Sequence, residues 1–205
     1  MFKKLSAIIL TLCVGFVVAD ELTEAQQQLI QEQTLEEFAK IYDCEFSKEK
    51  QIVGGFYPGS RIHITIMEFR SIHNGIHIFS RYEFGHQHAA EFNFEIKPKR
   101  KIPEFKISTK NHFFRIFSLS DEVWKIECDN QLLIASLKDY LNKSGMTELS
   151  KKAAFIPTIH GKYLNGTFSC ESKFHLGFDD KEESFKPNME FHKILIDKLQ
   201  ENYCS

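Results

Sequence analysis

Two histidines two residues apart, His86 and His88, are the residues in this chain best suited to chemistry. On a strand, side chains two apart leave the same face about 7 Å from each other. Two neutral imidazoles so placed can face one transition metal, and imidazole suits zinc, copper, iron and nickel. A third ligand has to come from a neighbouring strand. Asn74-Gly75 lies midway between His63 and His86, so a two-residue turn there sets those two histidines opposite each other. His63, His86 and His88 are therefore the candidate metal set. A turn one residue longer separates them. Glu91 has the opposite parity to His88 and cannot complete the set on a continuous strand. The competing expectation is structural, because His86 and His88 share parity with Phe92 and Phe94 and would then be interior or rim histidines. Of the nine histidines, His73 reads as a turn residue, and His77, His112, His160, His175 and His192 as surface or rim positions.

Other chemistry is thinly represented. Ser47-Lys48-Glu49-Lys50 fits S-x-x-K, in which a lysine activates a serine, but the S-D-N and K-T-G partners of that class are missing. The sequence contains no H-E-x-x-H, G-x-S-x-G, P-loop or G-x-G-x-x-G pattern. Asp179–Glu183 (DDKEE) lacks the spacing of a calcium loop. Lys97–Lys101 (KPKRK) is the one basic block and reads as the solvated end of a strand. Against 26 Lys and Arg stand 28 Asp and Glu, a balance that argues against sequence-independent nucleic-acid binding. Twenty phenylalanines either fill the core or line a cavity for an apolar ligand.

The first residues bound the compartment. Lys3-Lys4, an apolar run from Ala7 to Val18 and the small Ala19 make up an export signal, residues 1–19, with cleavage expected near Ala19. No later run is long and apolar enough to span a bilayer. Residues 20–205 are then a single exported domain, periplasmic or secreted, with any subdivision falling near 97–103. Four cysteines follow the leader: Cys44, Cys128, Cys170 and Cys204. An even number in an exported chain implies disulfides. Cys128 shares a strand face with Trp124 and Ile126, and Cys170 with Phe168. This favours the pairs Cys128–Cys170 and Cys44–Cys204. Asn142-Lys143-Ser144 and Asn165-Gly166-Thr167 match glycosylation acceptors, relevant in a eukaryotic source.

The elements that must position these residues are strands between helices. Arg61–Ile96 alternates apolar and polar residues, as half-buried strands do. Asn74-Gly75 supplies the positive φ angles of a type I′ hairpin and pairs Glu68 with Arg81. That register puts Ile62, Ile64 and Ile66 on the face opposite Ile76 and Ile78, which asks for a bulge or a longer turn. A helix is expected over 22–42, with a second short one opening at Thr34. Strands are expected at 51–56, 104–108, 112–117 and 123–128. Asp129-Asn130 caps a middle helix ended by Gly145, and Thr147–Ala153 forms a short one. Further strands fall at 158–164, 167–170 and 173–178. Phe191, Leu195, Leu199 and Tyr203 step along one face of a C-terminal helix. Segregated runs of strands and helices mean an α+β fold, with mainly antiparallel sheet packed by N-terminal, middle and C-terminal helices.

The function expected from these observations is an exported, soluble, non-catalytic module that binds a ligand or a protein partner, with no resident cofactor. A histidine-ligated metal protein or hydrolase using Gly85–His88 is the alternative. A carrier of an apolar ligand is the further one.

Overall fold

A computed structural model describes residues 24–54, 57, 59–85, 89–110, 122–151, 155–176 and 181–204. Among the described residues the fold is α+β, with eight strands in one antiparallel sheet and the helices N-terminal, middle and C-terminal. Helix α1 is Glu24–Ile41, followed by β1 Glu45–Gly54, β2 Arg61–His73, β3 Ile76–Phe84 and β4 Ala89–Ile96. Next come β5 Phe105–Thr109, β6 Trp124–Cys128, α2 Gln131–Lys143 and α3 Met146–Leu149. Strands β7 Phe155–Leu164 and β8 Thr167–Leu176 precede α4 Phe185–Leu199, which a one-turn 3-10 helix introduces and a π turn, Gln200–Cys204, extends. The spatial order is β1-β2-β3-β4-β8-β7-β5-β6. The first four strands form a meander, and β8 joins it at β4.

The Asn74-Gly75 hairpin has two residues in its turn, with φ of 48° and 78°, and it pairs His73 with Ile76 and Glu68 with Arg81. The parity conflict among the isoleucines resolves without a bulge or a longer turn. The inward residues of β2 are Thr65, Met67, Phe69 and Ser71, all buried, and Ile62, Ile64 and Ile66 face outward, half-buried. Helix α1 runs unbroken through Thr34, whose hydroxyl donates to the Ile30 carbonyl at 2.9 Å. The two strands expected at 167–170 and 173–178 are one, β8. Pro157 lies inside β7, beyond the last β5–β7 pair of Ser108 with Thr158, where its missing N–H is tolerated. The strand expected at 112–117 lies outside the described residues. Asn130 caps α2 as expected, its side-chain oxygen accepting from Leu133 N at 3.0 Å, and Gly145 follows with φ 84°.

All the long helices pack on one face. Phe185, at the start of α4, is the hub, with ring centroids 5.1 Å from Phe69, 5.7 Å from Phe38 and Phe92, and 6.0 Å from Tyr82. Phe191, Leu195 and Leu199 continue the buried stripe. Helix α1 is tied down by charge. Lys48 on β1 reaches Glu32 at 2.8 Å and Glu36 at 3.0 Å. Burial would raise the Glu32 carboxyl, but hydrogen bonds from Lys48 and Gln28 outweigh it and hold it below its ordinary value. Trp124 is buried, its indole N–H donating to Thr147 Oγ1 at 3.0 Å.

The expected disulfides are not formed: Cys44, Cys128, Cys170 and Cys204 are all free. Cys128 and Cys170 do point inward in one row of the sheet, but that row reads Cys128, Phe105, Gly161, Cys170. Two intervening strands put them about 14 Å apart, beyond the roughly 7 Å that a disulfide bridges. Parity fixed the face and left the strand order open. Cys44 lies by Ser71 and Lys193, and Cys204 by Lys99. Lys193 and Cys204 are 11 residues apart on α4 and its terminal turn, about 16 Å at helical rise.

Candidate functional site

One pair inside the core has the pattern of a nucleophile and its base. His192 on α4 and Ser172 on β8 are 3.3 Å apart, Nε2 to Oγ, and His192 Nδ1 lies 2.7 Å from the Asn188 carbonyl oxygen. The carbonyl accepts only, so Nδ1 carries the proton and Nε2 faces the serine hydroxyl. This is the arrangement that activates a serine. Burial decides against that role. Both residues have zero exposure, and Phe92 is stacked on the imidazole while Phe94 and Phe191 meet it edge-on. No substrate reaches the hydroxyl. The pair instead belongs to a polar seam that joins α4 to the sheet, with Tyr82 and Ser184 hydroxyls 2.9 Å apart and Asn188 Nδ2 donating to the Ser184 carbonyl at 2.8 Å. His192 was expected at the surface or rim. Its helical position, beside Phe191 and before Ile196, gave the inward direction to a reader counting in steps of three and four.

The accessible chemistry lies on the other face of the sheet. No helix is seen against it among the described residues, and it is built of rows across the strands. One row contains Glu68, Arg81, Glu91 and Lys173. The next contains Arg70, Phe79, Asn93, Glu171, His160 and Lys106. Opposite charges meet along them: Arg70 with Glu68 at 2.8 Å, Lys173 with Glu171 at 2.7 Å, Lys125 with Glu127 at 2.6 Å. The Arg70 guanidinium also sits over the Phe79 ring, 5.6 Å from its centroid. The Val53–Ile62 pair at one corner extends into Ile64 and Ile66. Ile72 and Ile156 on the same face are 65% and 56% exposed.

No known protein family, curated protein or solved structure matches the chain. The site therefore rests on its own geometry. Near the β6 edge a groove of about 320 Å³ is lined by Glu104, Lys106, Glu127, His160 and Lys162 among others. Burial, and then Lys106 and Lys162, push the His160 pKa down, and its Nε2 is shielded without a hydrogen-bond partner among the described residues. A second groove, about 280 Å³, separates α2 from α4 and holds Leu132, Tyr140 and Tyr203.

Of the candidate metal set, His63 is on β2, exposed, past the Thr65–Phe84 pair where the β2–β3 ladder ends. His86 and His88 lie outside the described residues, as does His112. Among the described residues no group of three or more His, Cys, Asp or Glu is arranged to hold a metal. His73 is more than a turn residue, since its Nε2 meets Asp197 at 2.6 Å and Asn74 Nδ2 donates to the same carboxylate at 2.8 Å. The two partners of S-x-x-K, Ser47 and Lys50, are three apart on β1 and face opposite sides of the sheet. No helix among the described residues is long and apolar enough to cross a membrane.

Proposed function

We propose that the protein is an exported binding module that receives a protein partner on the helix-free face of its sheet. The observation that carries this reading is the outward isoleucine strip, Ile62, Ile64 and Ile66, set beside rows of both charge signs. A solvated sheet face ordinarily alternates polar residues outward. Three outward isoleucines on one strand, with Val53 beside them, are the kind of apolar surface that marks an interaction site when polar residues rim it. Glu68, Arg70, Arg81 and Glu83 are that rim, and charges of both signs around an apolar centre select a partner by complementarity more than by net charge. The core supports binding over carriage of an apolar ligand, because Phe69, Phe84, Phe92, Phe94, Phe155, Phe168, Phe185 and Phe191 are fully buried and several of them pack ring against ring.

The test is a photo-reactive amino acid placed at Ile64, with the same group at Lys143 on α2 as the control. A discrete adduct with a second protein at position 64 alone, lost with Ile66→Asp while the melting curve is unchanged, is the expected result. Adducts at both positions, or cross-links confined to this chain, would overturn the reading.

A further inference from the structure

The charges on the helix-free face repeat with their signs exchanged. Along β2, Glu68 and Arg70 are joined at 2.8 Å. Along β8, Lys173 and Glu171 are joined in the same way at 2.7 Å. Both ion pairs occupy the same two rows of the sheet. The first row reads Glu68, Arg81, Glu91, Lys173, and the second Arg70, Phe79, Asn93, Glu171. The acid is in the first row on β2 and in the second row on β8. Between them, Arg81 on β3 is directly opposite Glu91 on β4. A line between β3 and β4, parallel to the strands, therefore relates each charge in these rows to one of opposite sign: Glu68 to Lys173, Arg70 to Glu171 and Arg81 to Glu91.

Pairing within one sheet accounts for only part of this pattern. Opposite charges attract between adjacent strands, which explains Arg81 beside Glu91. Glu68 and Lys173 have two strands between them, as do Arg70 and Glu171, a separation of about 14 Å. At a surface that distance is largely screened, so no contact within the chain requires those signs to be opposed. A twofold rotation does. Turning a second copy by 180° about the line between β3 and β4 lays its sheet face to face on the first, with each row over itself in reverse. The strand directions stay aligned, as in ordinary sheet-on-sheet packing. The gap of about 10 Å between such sheets is one that a lysine or arginine reaching toward a carboxylate spans. The same rotation brings Ile156 of β7, which is 56% exposed, over β1 next to Ile66.

We propose that the partner on this face is a second copy of the chain, bound as a twofold dimer. The proposal rests on the reading of the helix-free face as the interaction surface and names its occupant. Under the twofold, β1, β2 and β3 of one copy lie over β7, β8 and β4 of the other. Six strands at about 4.8 Å spacing and about seven residues at 3.3 Å rise cover roughly 650 Å² per copy. The total of about 1,300 Å² falls within the range of roughly 1,200–2,000 Å² for specific interfaces. Exposed ion pairs each add little stability, but their signs fix register and orientation, while the isoleucines supply apolar contact. A net charge of −2 opposes self-association only weakly.

Sedimentation velocity of the purified protein, over a concentration series at low and high salt, reads the self-association. A dimer is expected, weakened as salt rises. Glu68→Lys and Lys173→Glu each set like charges against each other in the dimer and should weaken it by about tenfold or more. The chain carrying both substitutions has opposite signs at both contacts again and should dimerise as the parent does. The two residues are about 14 Å apart within one chain, so that rescue reports a contact between copies. Lys143→Glu on α2 is the control and should leave the association unchanged. A parent that stays monomeric throughout, a dimer indifferent to either single substitution, or a doubly substituted chain that stays monomeric would overturn the proposal. The cross-link from position 64 distinguishes this failure from that of the wider reading. A monomeric parent whose position 64 captures a different protein ends the self-pairing and leaves the face as a partner surface, whereas a monomeric parent with no such adduct ends both. Melting curves of each variant separate loss of the interface from loss of the fold.

Discussion

His192 is the residue at which the fold depends most directly on pH. Burial lowers its pKa to about 4, against the opposing hydrogen bond to the Asn188 carbonyl, whereas an unfolded histidine titrates near 6.5. The unfolded chain therefore takes the proton first as pH falls. The stability that depends on a neutral His192 is complete above about pH 6.5 and is lost progressively toward pH 4, roughly 3 kcal/mol in all. Urea unfolding at pH 7 and pH 4.5 should show this loss in the parent, and His192→Gln should remove most of the difference. An unchanged pH dependence in the variant would place the acid sensitivity elsewhere. Gly161 is the complementary case, in which a side chain must be absent. A Cβ there would lie 2.4 Å from Phe105 Cε1 and 2.8 Å from Phe168 Cζ. Gly161→Ala should cost about 1–3 kcal/mol by overpacking, and Phe105→Leu in the same chain should restore part of it, both read from denaturation midpoints. The inward direction of His192 can be counted from the three- and four-residue spacing of Met189, His192, Leu195 and Ile196, but the requirement at Gly161 was not legible from the sequence. A glycine in a strand pattern reports some close approach, but the rings that approach it come from β5 and β8, and only the strand order supplies them.

At the scale of elements, local signals did better. The Asn74-Gly75 turn fixed its own register, and the cap at Asn130 fixed the start of α2, because each is satisfied by atoms within a few residues. The disulfide pairs and the inward side of β2 depended on partners far along the chain, so period-two alternation could show that Ile62, Ile64 and Ile66 share a face without showing which one. Residues 86–88 carry the sequence's sharpest chemical signal, and the described part of that site is His63 alone. Helix α1 illustrates a non-local link of another kind. Its own apolar stripe is poor, with Leu29, Ile30 and Ile41 exposed, and Lys48 of β1 holds it through the buried Glu32. Lys48→Met should leave that carboxylate with Gln28 as its remaining partner among those seen and cost about 2 kcal/mol, below the range for a fully buried pair because Lys48 is itself partly exposed. Amide exchange in α1 should speed up more than in β7 or β8. Glu32→Leu added to Lys48→Met should recover the loss; a further loss would mean that the carboxylate holds the helix through Gln28 rather than through Lys48.

At the scale of the molecule, the β4–β8 pairing joins the two halves. It runs from Ala89 with His175 to Ile96 with Phe168, partners more than seventy positions apart, whereas β1 to β4 are joined by short connections. Contacts so distant in sequence form late, since the chain entropy of closing the loop has to be overcome before they contribute. Pulse-labelled hydrogen exchange should therefore show β2–β3 amides protected before those shared by β4 and β8. Until β8 and α4 arrive, Phe92 and Phe94 have no cover, and β4 is an unpaired edge of the kind that recruits other chains. For a polypeptide emerging from its N-terminus, the meander is thus complete in hydrogen bonds along β1–β4 while its last strand waits for the final third of synthesis. The period of greatest aggregation risk ends only when the C-terminal helix is available, so truncations that remove α4 should be insoluble even though every strand remains.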